Sequence, residues 1–118
     1  MRRTFSIRLT KRLIHIEVIE EIKNIIVDVV QPQKVYLFGS YAKGNATETS
    51  DVDLLIIMAD RSKKKYQVVE EIEKKLRDVL PVSKDLVVDY ADRYERFHSI
   101  PYSFIGHIVQ TGVLLYES

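Results

Sequence analysis

Asp51 and Asp53 stand two residues apart immediately before the apolar run Leu54 to Met58. Residues two apart on an extended strand project from the same face, so this spacing predicts two carboxylates converging at a strand's beginning. Like charges that close repel unless a cation sits between them. Paired carboxylate oxygens with open coordination positions suit Mg²⁺ that also holds substrate phosphates. Upstream, Gly39-Ser40 follows the apolar run Val35 to Phe38 and is separated from Asp51 by the ten residues Tyr41 to Ser50. A glycine there permits a sharp turn and brings backbone N–H groups close to whatever occupies the pocket, while Ser40 adds a hydroxyl. If Tyr41-Ala42-Lys43 begins a helical turn, the amides of Gly39, Ser40 and Tyr41 form an anion site suited to phosphate. A Gly-Ser pair alone is usually a plain turn; the carboxylates downstream are what give it chemical meaning.

A third acid can come from the segment Asp85 to Tyr90, because neighbouring strands lie only about 4.8 Å apart. Asp85 and Asp89 both qualify. Asp85 is favoured because it stands ahead of an apolar run, as Asp51 and Asp53 do, but the sequence leaves the choice open. Three carboxylates beside a phosphate cradle predict two-metal phosphoryl transfer, with one Mg²⁺ orienting a triphosphate and a second activating the attacking hydroxyl. In that scheme Asp51 and Asp53 hold the metals, and Asp85 binds the catalytic ion and helps deprotonate the acceptor.

Regular elements must position these groups. From Leu13 to Val30 the apolar residues Ile14, Val18, Ile19, Ile22, Ile25, Ile26 and Val29 recur at three- and four-residue steps, the signature of an amphipathic helix that Pro32 closes. Lys34 to Phe38 and Asp53 to Met58 read as central strands. Ser62 to Leu80 reads as a second helix with Tyr66, Val69, Ile72, Leu76, Val79 and Leu80 along its apolar side, ended by Pro81. Asp85 to Tyr90 reads as a third strand. A looser, partly helical stretch follows to Gln110, then Gly112 and a Val-Leu-Leu-Tyr segment that either pairs as a short strand or packs as a tail. The expectation is a mixed α/β (α+β) fold, a small sheet flanked by helices, with residues 1–118 forming one domain.

Composition narrows the field. A chain of 118 residues suits one core, since domains usually hold about 100 to 150 residues. Eighteen Lys and Arg against seventeen Asp and Glu leave no global field to draw it onto nucleic acid or a membrane, so no direct nucleic-acid binding is expected. There is no cysteine, which fits a reducing cytoplasm. The N-terminus lacks the pattern of a secretory signal, and no apolar run approaches the roughly 20 residues that span a bilayer. The basic run Arg61 to Lys65 reads as a solvated face, the three histidines as surface or packing residues, and the aromatics Tyr90, Tyr94, Phe97, Tyr102 and Phe104 as packing more than as a partner-facing patch.

Gly39-Ser40, ten residues, then Asp51-Val52-Asp53 resembles the signature of the minimal nucleotidyltransferases of the DNA polymerase beta superfamily. The resemblance runs from about residue 13 to 116 and includes the late third strand and the Gly-Val-Leu-Leu-Tyr ending. It implies the nucleotidyltransferase fold, Mg²⁺, ATP as substrate, and transfer of AMP with release of pyrophosphate. Carried over by position, Gly39, Ser40 and Lys43 serve nucleotide binding, and Asp51, Asp53 and Asp85 serve catalysis and metal binding. Lys43 stands where an arginine is often found. Small members of this family resemble antitoxins encoded with a HEPN-domain ribonuclease toxin, some of which adenylylate a tyrosine on that partner. The chain leaves nothing over for a separate acceptor-binding domain, which favours a folded protein acceptor. The rival readings are transfer to a small-molecule or nucleic-acid hydroxyl, and a non-catalytic antitoxin that masks its partner.

Overall fold

The computed structural model describes residues 15–118. Helix α1 (Ile16–Val30) leads into strand β1 (Lys34–Phe38), a short helix α2 (Gly39–Lys43) and strand β2 (Val52–Met58). Helix α3 (Lys65–Val79), strand β3 (Lys84–Tyr90), helices α4 (Ala91–Phe97) and α5 (Phe104–Thr111), and strand β4 (Val113–Glu117) complete it. The mixed α/β expectation holds. Its predicted first helix begins on Leu13 and Ile14, which lie outside the described residues. The looser stretch resolves into two helices, and Val-Leu-Leu-Tyr pairs as a strand.

The four strands are ordered β3-β2-β1-β4. β1 runs antiparallel to both β2 and β4, while β2 and β3 are parallel, joined across the sheet by α3 as a βαβ unit requires. β2 is therefore central. All of its residues except Asp53 are buried, which explains why its sequence is continuously apolar instead of alternating.

The two faces of β2 bury into different layers. Val52, Leu54, Ile56 and Met58 pack with Val18, Ile22 and Ile26 of α1 and Val68, Ile72 and Leu76 of α3. Leu55 and Ile57 pack on the other side with Tyr36, Tyr94, Ile105 and Ile108, under α4 and α5. By strand alternation Asp53 belongs to this second face.

α1 buries Val18, Ile19, Ile22, Ile26 and Val30 as its periodicity predicts, and ends with Gln31 in the left-handed region just before Pro32. In α3 the buried stripe differs from the expected one. Val68, Ile72 and Leu76 face inward, whereas Tyr66 and Val79 are exposed. The helix starts at Lys65, later than the sequence suggests, and its four-residue series 68, 72, 76 is the row aligned with the sheet. Among the described residues no helix is long and apolar enough to cross a membrane.

On the second face, the buried Tyr36 and Tyr94 hydroxyls share a 2.8 Å hydrogen bond, and Lys34 lies 5.1 Å above the Tyr94 ring while pairing with Glu117 at 2.7 Å. Burial, then the Tyr94 bond, holds the Tyr36 phenol above its ordinary range. Gly106 of α5 is a point of close approach, because a Cβ there would run into the Ile100 carbonyl and lie 2.8 Å from the Phe97 carbonyl oxygen. Gly106→Ala is expected to destabilise the protein by about 1 to 3 kcal/mol in urea unfolding, although alanine alone would favour the helix by about 1 kcal/mol. Unchanged or increased stability would mean the α4–α5 turn yields freely.

Candidate functional site

The carboxylates meet where three strands share one end. In the antiparallel β1–β2 pair Phe38 faces Asp53, and in the parallel β2–β3 pair Asp53 faces Asp85. Phe38 and Asp85 therefore flank Asp53 on the same sheet face. Asp85 shares that face with Val87, which packs under α4 and α5. The two helices cover the middle of the face and leave the acidic end open: Asp85 is exposed and Asp53 only half-buried.

Asp51 precedes β2 and is exposed, so it is not part of the strand ladder as its spacing suggests. It is held another way. The Ser83 hydroxyl donates a hydrogen bond to Asp51 Oδ1, and the Val52 N–H donates to the Ser83 carbonyl at 3.1 Å. Ser83 is absent from any reading of the sequence because its bond spans 32 residues and carries no local signature.

β1 ends directly in α2. Gly39 takes φ of 75°, a left-handed conformation suited to glycine, and a Cβ there would run into the Asp53 carboxylate, with Cγ only 3.0 Å away. The glycine thus does two things at once, turning the chain into α2 and clearing the space beside Asp53. Ser40 is the second residue of α2, and no side chain caps the helix N-terminus. Lys43 closes the same helix and is exposed, at the end away from Gly39. Gly44, also left-handed, stops the helix.

Asp89 lies elsewhere. It faces Ile57 across the β2–β3 ladder, at the opposite end of the strand from Asp85. It is buried and engaged, accepting from the Tyr90 N–H at 2.9 Å and from Arg93 Nε at 3.1 Å, with Lys65 4.0 Å away. The basic run beside it is also committed: Arg61 grips Asp92 through two hydrogen bonds of 2.9 and 3.0 Å, and Lys63 pairs with Glu71 at 2.8 Å. These cations hold the far end of the sheet together.

Electrostatically the acid cluster is strained. Desolvation, followed by the charges of Asp85 and Asp51, raises the Asp53 carboxyl above its ordinary range. Among the described residues no three His, Cys, Asp or Glu side chains by themselves form a group that could hold a metal ion. Mg²⁺ at a nucleotide takes one or two carboxylates and completes its octahedron with phosphate oxygens and water, and the register pair Asp53 and Asp85 offers carboxylates of that kind. The residues fit such an ion: hard oxygen donors, crowded negative charge, and a cleared space at Gly39.

A raised carboxyl pKa means folding favours the protonated form. Its stabilising contribution is complete below about pH 4, the unfolded value, and is lost as pH rises through the folded value. Replacing Asp53 by Asn should accordingly raise the melting temperature of chelator-treated protein at neutral pH, with the gain shrinking as pH falls through the carboxylate range. Scanning calorimetry across that range tests it, and a lower melting temperature for Asp53→Asn at neutral pH would show that the carboxylate is not crowded.

Comparison with known proteins agrees with this geometry. Residues 20–118 match the family described as "Polymerase beta, Nucleotidyltransferase". A protein of Methanocaldococcus jannaschii named "Putative protein adenylyltransferase" is 30% identical over 71 residues, 60% of this chain and 71% of that protein. A second so named from the same organism is 31% identical over 84 residues, 71% of this chain and 78% of that protein. A crystal structure described as "the toxin-antitoxin with AMP-PNP" superimposes with a TM-score of 0.59 at 25% identity, covering 84% of this chain and 73% of that one. A crystal structure of a "putative nucleotidyltransferase" from Sulfolobus solfataricus shares the fold with a TM-score of 0.59 at 19% identity, covering 86% and 78%. With the Gly-Ser turn, the Asp-x-Asp and the matched family spanning the same residues, the chain belongs to the polymerase beta nucleotidyltransferase family and is a nucleotidyltransferase.

Proposed function

We propose that this protein is the antitoxin of a toxin–antitoxin pair and transfers AMP from ATP, with Mg²⁺, to a tyrosine of a HEPN-domain toxin. The observation that carries the chemistry is the alignment of Gly39, Asp53 and Asp85 at one end of β1, β2 and β3. The choice of a protein acceptor draws on the Methanocaldococcus relatives named as protein adenylyltransferases, and the choice of a toxin on the structural neighbour described as a toxin–antitoxin with AMP-PNP.

In this reading Gly39 and Ser40 receive the triphosphate at the N-terminus of α2, and Lys43 contributes positive charge from its other end. Asp51, Asp53 and Asp85 hold two Mg²⁺ ions. Bound Mg²⁺ supplies neutralisation of the triphosphate and of the charge that develops on the leaving pyrophosphate. Asp85, the more exposed of the register pair, faces the acceptor and takes the proton of its hydroxyl. The acceptor oxygen bonds to the α-phosphorus while the bond to the bridging oxygen breaks, and pyrophosphate departs with the electron pair. Asp53 is placed between Phe38 of β1 and Asp85 of β3 by the two strand registers.

Incubation of the protein with Mg²⁺, labelled ATP and the toxin encoded beside it, followed by intact-mass analysis, is expected to show one or more AMP units on the toxin. Asp53→Asn should reduce transfer by ~10²-fold or more, since several kcal/mol of charge stabilisation is removed. A stable complex without any mass gain would favour masking by binding, and transfer undiminished in Asp53→Asn would refute the site.

The third acid is tested separately. Asp85→Asn should abolish transfer at near-normal stability. Asp89→Asn should retain the chemistry but lose stability, because it weakens a buried carboxylate that Arg93 and Lys65 depend on. The reverse pattern would move the catalytic role to Asp89.

A further inference from the structure

Asp51 has a positional difficulty that Asp53 and Asp85 do not share. It lies outside the β ladder and is exposed, so no backbone register fixes its side chain, and a free carboxylate of this kind samples several rotamers. Ser83 removes that freedom. Its hydroxyl donates to Asp51 Oδ1, and its own position is secured because its carbonyl accepts the Val52 N–H at 3.1 Å. The next residue, Lys84, opens β3 in register with Val52 and is anchored by a 2.8 Å ion pair to Glu73 of α3. Ser83 is thus a clamp with one end on the strand framework and the other on the acid.

We propose that Ser83 is a positioning residue for the nucleotidyl-transfer site, orienting Asp51 so that Oδ1 is held by the hydroxyl and Oδ2 is presented to the divalent cation. This inference rests on the assignment of Asp51 and Asp53 as cation ligands. A hydroxyl that donates to one oxygen also spreads the negative charge of Asp51, easing its repulsion with Asp53 without occupying the second oxygen. Residues that orient metal-binding carboxylates in this way typically alter affinity by 10- to 100-fold when removed. Ser83 touches neither the reacting atoms nor the nucleotide in this scheme, so its effect should appear in cation affinity.

The test uses Mn²⁺ as the cation probe, with free Mn²⁺ measured by electron paramagnetic resonance in the presence of AMP-PNP. Ser83→Ala is expected to weaken Mn²⁺ binding about tenfold. Ser83→Thr, which keeps the hydroxyl, should bind within a factor of about two of the parent protein. In turnover, Ser83→Ala should require more Mg²⁺ for half-saturation but approach the parent kcat at saturating Mg²⁺. Should Ser83→Ala fail to fold, Ser83→Cys, close in size but a weak donor, carries the same expectation. Parent-like Mn²⁺ affinity in the Ala or Cys variant, or equal loss in Ser83→Thr, overturns the role. Asp53→Asn separates the two levels: parent-like Mn²⁺ binding in that variant sinks the cation assignment itself, whereas its loss together with parent-like Ser83→Ala sinks only the clamp.

Discussion

The pairing of Asp53 with Asp85 across a parallel ladder is the constraint on which the site depends. Parallel register places residues of like rank side by side, so the two strands' leading acids are held within a strand spacing whatever their mutual repulsion. Nothing local favours that arrangement. At about 5 Å and an effective dielectric near 20, two carboxylates repel by roughly 3 kcal/mol. The opposing force is the burial of Leu54 to Met58 on both sheet faces, which fully buried aliphatic side chains supply at about 1.5 to 3 kcal/mol each. The apolar run behind the Asp-x-Asp is therefore the mechanical support of the acids, and its continuity reflects the two layers that cover it.

Those layers divide the labour unequally. α1 and α3 cover the first face along the whole of β2, from Val52 to Met58. α4 and α5 cover the second face only over Leu55 and Ile57 and leave Asp53 at an open margin. Phe104, at the start of α5, marks that margin, packing edge-on against Phe38 with ring centroids 5.7 Å apart while remaining exposed. The far end of the same face is closed by the Tyr36–Tyr94 pair, Asp89 with Arg93, and Arg61 with Asp92. Carboxylates at the two ends of β3 consequently meet opposite fates: Asp89 is neutralised by fixed cations of the chain, and Asp85 has none paired with it in the described geometry.

How far the sequence reveals this depends on the range of the interactions. The Gly-Ser turn, the Asp-x-Asp and the helices α1 and α3 are written in spacings of two to ten residues and could be read directly. Asp85 and Asp89 could not be separated by pattern alone, since they share a face. Only the register with β2 shows that one stands beside Asp53 and the other beside Ile57. The same holds for Ser83, whose partner is 32 residues away, and for β4, whose exposed Val113 and Leu114 do not alternate as a half-buried strand should. Of the stripe expected along α3, Ile72, Leu76 and Leu80 are buried, but Tyr66 and Val79, apolar in type, turn from the sheet and Val68 takes the inward place, because periodicity alone cannot tell which of two adjacent rows a sheet will bury.

Gly39 shows why motif and fold are inseparable here. The left-handed turn that ends β1 would strain any residue with a Cβ, and the space that the missing Cβ leaves is the space Asp53 occupies. A larger residue would therefore damage the turn and displace the acid in one step. The turn also begins α2, so the amides that open this helix are fixed relative to the carboxylate by a single residue instead of by a long chain of contacts. Charge crowding at Asp53 and the start of α2, which no side chain caps, have opposite electrostatic sign toward a ligand. In the proposed reading a cation-bound polyphosphate would answer both together, its cation offsetting the acids and its oxygens meeting the start of α2, with the two needs set side by side by the one residue that the turn requires to be glycine.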